Sequence, residues 1–144
     1  MTKTILITGS TDGIGLAAAR LLLQKGHRVL LHGRSESKLA NTREMLAGEG
    51  HIEAYLADLS QMKDVAALSK AVMEKHQRLD VLINNAGVFA TANTVTEDGL
   101  DVRFAVNTLA PYLLTQQLLP LLGSSSRVIN SSSAAQSPVH LDAL

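Results

Sequence analysis

Three glycines, Gly9, Gly13 and Gly15, stand inside the stretch TILITGSTDGIGLAAARLLLQKG, between a short apolar run and a longer amphipathic one. That spacing suits a strand-to-helix turn wrapped around a diphosphate. Gly9 permits the tight turn, Gly13 lets main chain approach the phosphates, and Gly15 allows helix to pack closely on strand. The helix that follows offers free N–H groups and the positive end of its dipole to the anion. A nucleoside-triphosphate loop would end in Gly-Lys-Ser/Thr, whereas Leu16 follows Gly15 here. The turn therefore points to a dinucleotide. A NAD-selective site carries an acid about 20 residues further on, against the ribose hydroxyls. Gly33 and Arg34 stand in that region instead. A guanidinium matches phosphate oxygens as a planar fork, so Arg34 is expected to meet a 2′-phosphate, favouring NADP(H), with NAD(H) as the alternative.

Two further groups could do chemistry. Ser131, Ser132 and Ser133 follow the apolar run RVIN, and Asn107 falls on the stripe made by Leu100, Phe104, Pro111 and Leu114. A polar residue on an apolar stripe calls for a hydrogen-bond partner. Proline at 111 removes the N–H that would otherwise serve the Asn107 carbonyl and kinks the helix there. A core asparagine beside a packing kink is the plainer alternative, as a serine-rich turn is for the hydroxyl cluster.

These residues need a frame, and short apolar runs alternating with helical patterns provide one. Strands are expected over 4–8, 28–32, 51–57, 79–83 and 127–130. Helices are expected over 13–24, 36–47, from a Ser60 cap through Val72, and from Thr96-Glu97-Asp98 to about residue 122. In the first helix, Ile14, Ala17, Ala18, Leu21 and Leu22 form the expected buried stripe. Five alternations imply a parallel sheet covered by helices on both faces, in one domain over residues 1–144.

Composition narrows the function. Charge is balanced at 13 basic and 13 acidic residues, and only Tyr55, Tyr112, Phe89 and Phe104 are aromatic, so nucleic acid is not an expected partner. There is no cysteine and the five histidines are scattered, so no metal site is expected. The apolar run at residues 5–7 is too short for a membrane span or a signal core, and the expectation is a cytoplasmic chain with no membrane partner.

Taken together, Thr8-Gly9-Ser10-Thr11-Asp12-Gly13-Ile14-Gly15, Asp58 in LADLS, Asn84-Asn85-Ala86-Gly87, Asn107 in FAVNTLAPYLLT and the serines after RVIN resemble the short-chain dehydrogenases/reductases. The run TEDGLDVRFAVNTLAPYLLT with RVINSSSAA looks most like the retinol-dehydrogenase-like branch. The resemblance implies a Rossmann-type, doubly wound α/β fold with strand order 3-2-1-4-5. It also implies an NAD(P)-dependent oxidoreductase moving a hydride between a nicotinamide cofactor and a small alcohol/carbonyl substrate, with homo-oligomers common. Cofactor contacts are implied for Gly9, Ser10, Thr11, Asp12, Gly13, Ile14, Gly15, Arg34, Asp58, Leu59, Asn85, Ala86 and Gly87. Asp58 would accept from the adenine amino group. Asn107 would hold a water through its main-chain carbonyl, and Ser133, with Ser132 as fallback, would bind the substrate oxygen.

One member of the implied catalytic set is missing. The family's proton donor is a tyrosine in a Tyr-x-x-x-Lys motif a dozen or more residues past the serine. Here Tyr55 is followed four residues on by Leu59, Tyr112 by Gln116, and no lysine occurs after Lys75. The expectation is a chain cut short before that motif, lacking the family's sixth and seventh strands and inactive by itself. The alternative is a catalytically silent dinucleotide-binding or interaction module.

Overall fold

The computed structural model describes residues 1–135 and 137–143. Gln136 and Leu144, the last residue of the expected domain, lie outside the described residues. Five strands, β1 (Thr4–Ile7), β2 (Arg28–Gly33), β3 (Ile52–Leu56), β4 (Val81–Asn84) and β5 (Arg127–Asn130), form one sheet in the order β3-β2-β1-β4-β5. All pairs are parallel, with Ile5 opposite both Val29 and Val81. The expected order is thus found; β3 is shorter than expected at both ends, β1 stops one residue earlier, β2 runs one residue further, and β4 begins and ends later than expected.

Alternation along the strands explains why the central runs are apolar on both faces. Ile5, Ile7, Val29 and Leu31 point to one face, where they pack with Ala19, Leu23, Leu39 and Leu46. Leu6, Leu30 and Leu82 point to the other, against Val65, Leu68, Val72, Leu114 and Leu118. The central strands β1, β2 and β4 are covered on both sides and have no solvent face to reserve for polar residues, whereas β5 is exposed along its length, Val128 and Ile129 included. Leu6 and Leu82 are fully buried, and truncating either to alanine would cost about 2–5 kcal/mol.

The first face is covered by α1 (Gly13–Gln24) and α2 (Glu36–Leu46). The stripe that α1 buries is Gly15, Ala19 and Leu23, flanked by Leu16, Ala18 and Leu22. The expected stripe is therefore rotated: Ile14 and Leu21 are exposed. Two patterns share this alanine- and leucine-rich sequence, and the close approach of Gly15 to the glycine turn selects between them.

On the second face lie α3 (Met62–Lys75), α4 (Val102–Phe104) and α5 (Ala110–Leu118). Ser60 does not cap α3, because its hydroxyl donates to Asp58 Oδ1 at 2.7 Å. Instead Asp98, 36 residues away in sequence, accepts from the Met62 N–H at 3.0 Å. That use of Asp98 also corrects the expected helix start at Thr96. Residues 96–100 close a turn, with Gly99 N–H donating to the Thr96 carbonyl and Gly99 at φ +77. The helix begins after Asp101, whose carboxylate accepts from the N–H groups of Arg103 and Phe104. Among the described residues no helix is long and apolar enough to cross a membrane.

Candidate functional site

The order β3-β2-β1-β4-β5 reverses direction between β1 and β4, so the loops leaving those two strands diverge and open a crevice at their carboxyl ends. The glycine turn forms one wall. Gly9 has φ +64, and a Cβ there would come within 2.9 Å of the Ala86 Cα. A Cβ on Gly15 would strike the Gly9 carbonyl and the Asn85 amide, so the helix start can only sit this close as glycine. Asp12, at the N-terminal cap of α1, makes no capping bond, and its side chain lies 3.9 Å from Lys38 Nζ. The first N–H groups of α1 are accordingly left without a side-chain partner.

Thr8 and Asn85 lock this turn to the end of β4. The Thr8 hydroxyl accepts from the N–H groups of Asn85 and Ala86, both at 3.0 Å. The Asn85 amide donates to the carbonyls of Thr8 and Gly9 at 3.3 and 3.1 Å. From the other side His32 closes on it: Gly9 N–H donates to Nδ1 at 2.9 Å, and Nε2 lies 2.9 Å from the Ala57 carbonyl. Burial holds the imidazole below its ordinary value, outweighing the bond to Ala57 and the nearby Asp58 charge, which both act upward.

A cavity of about 460 Å³ runs along this wall. Gly9, Thr11, Asp12, Gly13 and Ile14 line it from the turn, Arg34 from the end of β2, Asp58 and Leu59 from beyond β3, and Asn85, Ala86 and Gly87 from beyond β4. His32, Gly33, Ser35, Lys38, Ala57, Val88 and Val106 complete it. Gly15 does not reach the cavity, and Ser10 is fully buried, its side chain bonded to the main chain of His32. Asp58 is anchored by the N–H and hydroxyl of Ser60 on Oδ1. Sequence reasoning passed over His32 and Lys38 and quoted Thr8 only as the start of the glycine motif, without a contact; a polar residue ending an otherwise apolar strand run, as in RVLLH, is the signal that could have found His32.

A second cavity, about 970 Å³, adjoins the first and shares Ile14, Asn85, Ala86, Gly87 and Val88 with it. Its far wall brings Asn107, Ser131, Ser132, Ser133 and Tyr112 together. Asn107 lies in a π-helical turn, Ala105–Leu109, between α4 and α5. The turn is closed by the Ala110 N–H on the Ala105 carbonyl, and Pro111 cannot supply an N–H four residues after Asn107. The polar side chain finds its partner in Val88, accepting from its N–H at 2.8 Å and donating to its carbonyl at 2.9 Å. Asn84 ties the strands beneath: its amide donates to Asn130 Oδ1 at 2.9 Å and to the Thr115 hydroxyl at 3.2 Å. Ser132 turns its hydroxyl to the Ser133 carbonyl at 3.4 Å, and Ser131 Oγ lies 3.5 Å from Asn85 Oδ1.

Among the described residues no cluster of histidine, cysteine and carboxylate side chains could hold a metal ion. The donor set instead fits a dinucleotide. The uncapped start of α1 and open space around Gly13 accept a diphosphate, and Arg34 and Lys38 place cations at the end of β2.

Comparison with known proteins agrees with that fit. Residues 3–141 match the family described as short chain dehydrogenase. Retinol dehydrogenase 13 of Homo sapiens is 37% identical over 145 residues, which cover 97% of this chain and 44% of that protein. Retinol dehydrogenase 14 of Mus musculus is 41% identical over 146 residues, covering 91% and 44%. The chain thus spans less than half the length of these relatives. Among solved structures, the Pseudomonas aeruginosa RhlG/NADP active-site complex superimposes with a TM-score of 0.77 at 35% identity, covering 89% of this chain and 53% of that one. A metagenomic short-chain oxidoreductase in complex with NADP gives a TM-score of 0.77 at 38% identity, covering 95% and 64%.

Proposed function

The chain belongs to the short-chain dehydrogenase family, and from that premise we propose that it binds NADP(H) in preference to NAD(H) and serves hydride transfer to or from an alcohol/carbonyl substrate. The observation that carries this reading is the pair of adjoining cavities with a shared wall at Ile14, Asn85, Ala86, Gly87 and Val88. One cavity presents phosphate-binding chemistry and the other presents hydroxyls and an amide, so a molecule laid across both would bring its far end to Ser133 and Asn107.

When bound, the nicotinamide group would supply or accept the hydride. The chain's own residues bind and orient. The α1 N-terminus and Gly13 hold the diphosphate, Arg34 and Lys38 the 2′-phosphate, and Asp58 with Leu59 the adenine. The structural relatives that carry NADP support the choice of cofactor, as does the lack of a carboxylate at Gly33 and Arg34.

At the other end, Ser133 donates a hydrogen bond to the substrate oxygen, where negative charge grows as a carbonyl is reduced. The Asn107 carbonyl, to which Pro111 offers no N–H four residues on, holds a water on the path that brings a proton. The family's Tyr-x-x-x-Lys motif has no counterpart in the 144 residues, so the roles proposed for this chain's own residues are binding and orientation, not proton donation.

Fluorescence titration of the chain with NADPH and NADH tests the binding reading. Tighter binding of NADPH is expected, and failure to bind either nucleotide would remove the proposal. Binding without turnover of any alcohol or aldehyde, in a protein extended to the length of its relatives, would leave a silent nucleotide-binding module instead.

A further inference from the structure

His32 is the one histidine buried in the sheet, 3% exposed, at the end of β2. Its two ring nitrogens meet partners of opposite kind. The Gly9 N–H can only donate, so Nδ1 must be the acceptor; the Ala57 carbonyl can only accept, so Nε2 must carry the proton. A single neutral tautomer satisfies both, and a doubly protonated ring would set its Nδ1–H against the Gly9 N–H. The main chain of the same residue is bonded to Ser10 at 2.9 Å through both its carbonyl and its N–H. His32 therefore joins the glycine turn to the residue that precedes Asp58, across the floor of the first cavity, which it also lines.

We propose that His32 is a positioning residue for the dinucleotide: its neutral imidazole sets the distance between the glycine turn and Asp58, and its protonation releases the turn and weakens binding. The inference rests on the reading of this cavity as the dinucleotide site. Burial favours the neutral ring, and the bond to Ala57 and the charge of Asp58 oppose it without prevailing. The charged and titratable groups around it are few. On the β3 side stand Asp58 and Tyr55, whose hydroxyl is turned to Glu53. From α3, Asp64 is occupied by the Asp58 N–H at 2.8 Å. Asp12 from the turn, Lys38 from α2 and Arg34 past the end of β2 line the same cavity, with Asp12 and Lys38 facing each other.

The test is calorimetric titration of the chain with NADP⁺ between pH 5 and 8, for the wild type, His32→Asn and His32→Leu. Asparagine keeps an oxygen near the Nδ1 position to accept from Gly9 but cannot take up a proton. The wild type should lose about tenfold in affinity for each pH unit below the His32 titration, the limit for uptake of one proton. His32→Asn, which keeps the bond from Gly9 but loses the one to Ala57, should bind more weakly than wild type at pH 7.5 and lose most of that slope, while the ligand's own phosphate titrates alike in both. His32→Leu should bind more than tenfold more weakly at pH 7.5. Because the leucine variant risks misfolding, the ¹⁵N shifts of the ligand-free wild type give an independent reading. A protonated Nε2 with a bare Nδ1 at pH 7 is expected; the opposite tautomer, or a ring that titrates at its ordinary value, overturns the proposal. Equal pH slopes in wild type and His32→Asn also overturn it while leaving the dinucleotide site intact. A wild type that binds no dinucleotide at any pH sinks both.

Discussion

Asn107 and Val88 are joined as two strand residues would be: the amide oxygen accepts from the Val88 N–H at 2.8 Å and the amide nitrogen donates to the Val88 carbonyl at 2.9 Å. A side chain in a π-helical turn thereby holds the loop that leaves β4, and with it the wall common to both cavities. Replacing Asn107 by aspartate keeps the acceptor and opposes a carboxylate to the Val88 carbonyl. The loss should be about 1–3 kcal/mol in denaturant titration, and Asn107→Ala should fall near the lower end. Equal stability for wild type and aspartate variant would show that the pair does not hold the loop.

Arg34 decides the next prediction, because it takes the place where an acid would stand in a NAD-selective site. Arg34→Asp should weaken NADPH by at least about tenfold relative to NADH, removing a charge-assisted bond and adding like-charge repulsion. The ratio of the two dissociation constants, by fluorescence titration, measures it. An unchanged ratio would rule out Arg34 as the phosphate reader.

Gly13 and Gly15 make a contrasting pair. A Cβ at Gly15 meets the Gly9 carbonyl and the Asn85 amide, neither of which can retreat without moving the turn. Gly15→Ala should therefore cost about 1–3 kcal/mol and abolish dinucleotide binding. Gly13 has open space but φ +54, so Gly13→Ala should cost only about 1–2 kcal/mol of backbone strain. Thermal unfolding with and without NADP⁺ separates the two, and a harmless Gly15→Ala would contradict the close approach.

Asp80 offers a pH test remote from the site. Its Oδ2 accepts from the Thr4 N–H at 2.8 Å and its Oδ1 from Arg78 Nε at 2.9 Å, at the amino ends of β1 and β4. The bond from Thr4 is the first cause holding its carboxyl below the ordinary value of 3.8, with Arg78 and Lys3 assisting against partial burial. A depressed folded value means stability that is whole above pH 3.8 and disappears as pH falls through the folded value. Asp80→Asn should flatten that acid limb in denaturation curves while leaving NADPH binding unchanged at neutral pH. A variant with the same acid limb as wild type would show that Asp80 contributes nothing to it.

Much of the fold is legible in the sequence because the decisive signals are local. The boundaries of α1 and β5 follow from capping and apolar runs, and strand–helix alternation is enough for a parallel sheet. What escaped depends on distant partners. Thr96-Glu97-Asp98 has the composition of a helix start, yet Asp98 is used to cap α3, and Asp101 begins the helix. Ile14 and Leu21 fit a helical stripe as well as their neighbours do, and only the contact of Gly15 with the glycine turn says which stripe is buried.

The same division runs through the site. By itself the sequence determines the chemistry: glycines where backbone must come close to phosphate, Arg34 in place of an acid, a proline with no N–H to offer the Asn107 carbonyl, and hydroxyls at a strand end. These are properties of residue type and spacing along one chain. Only the tertiary structure decides that His32, in a run that reads as core, holds Gly9 to Ala57, and that Thr8, Asn85, Asn107 and Val88 form a single hydrogen-bonded wall. Those bonds join residues far apart in sequence, and a hydrogen bond requires donor and acceptor within about 3 Å and aligned, which the order of residues cannot specify until the sheet has brought its strand ends together.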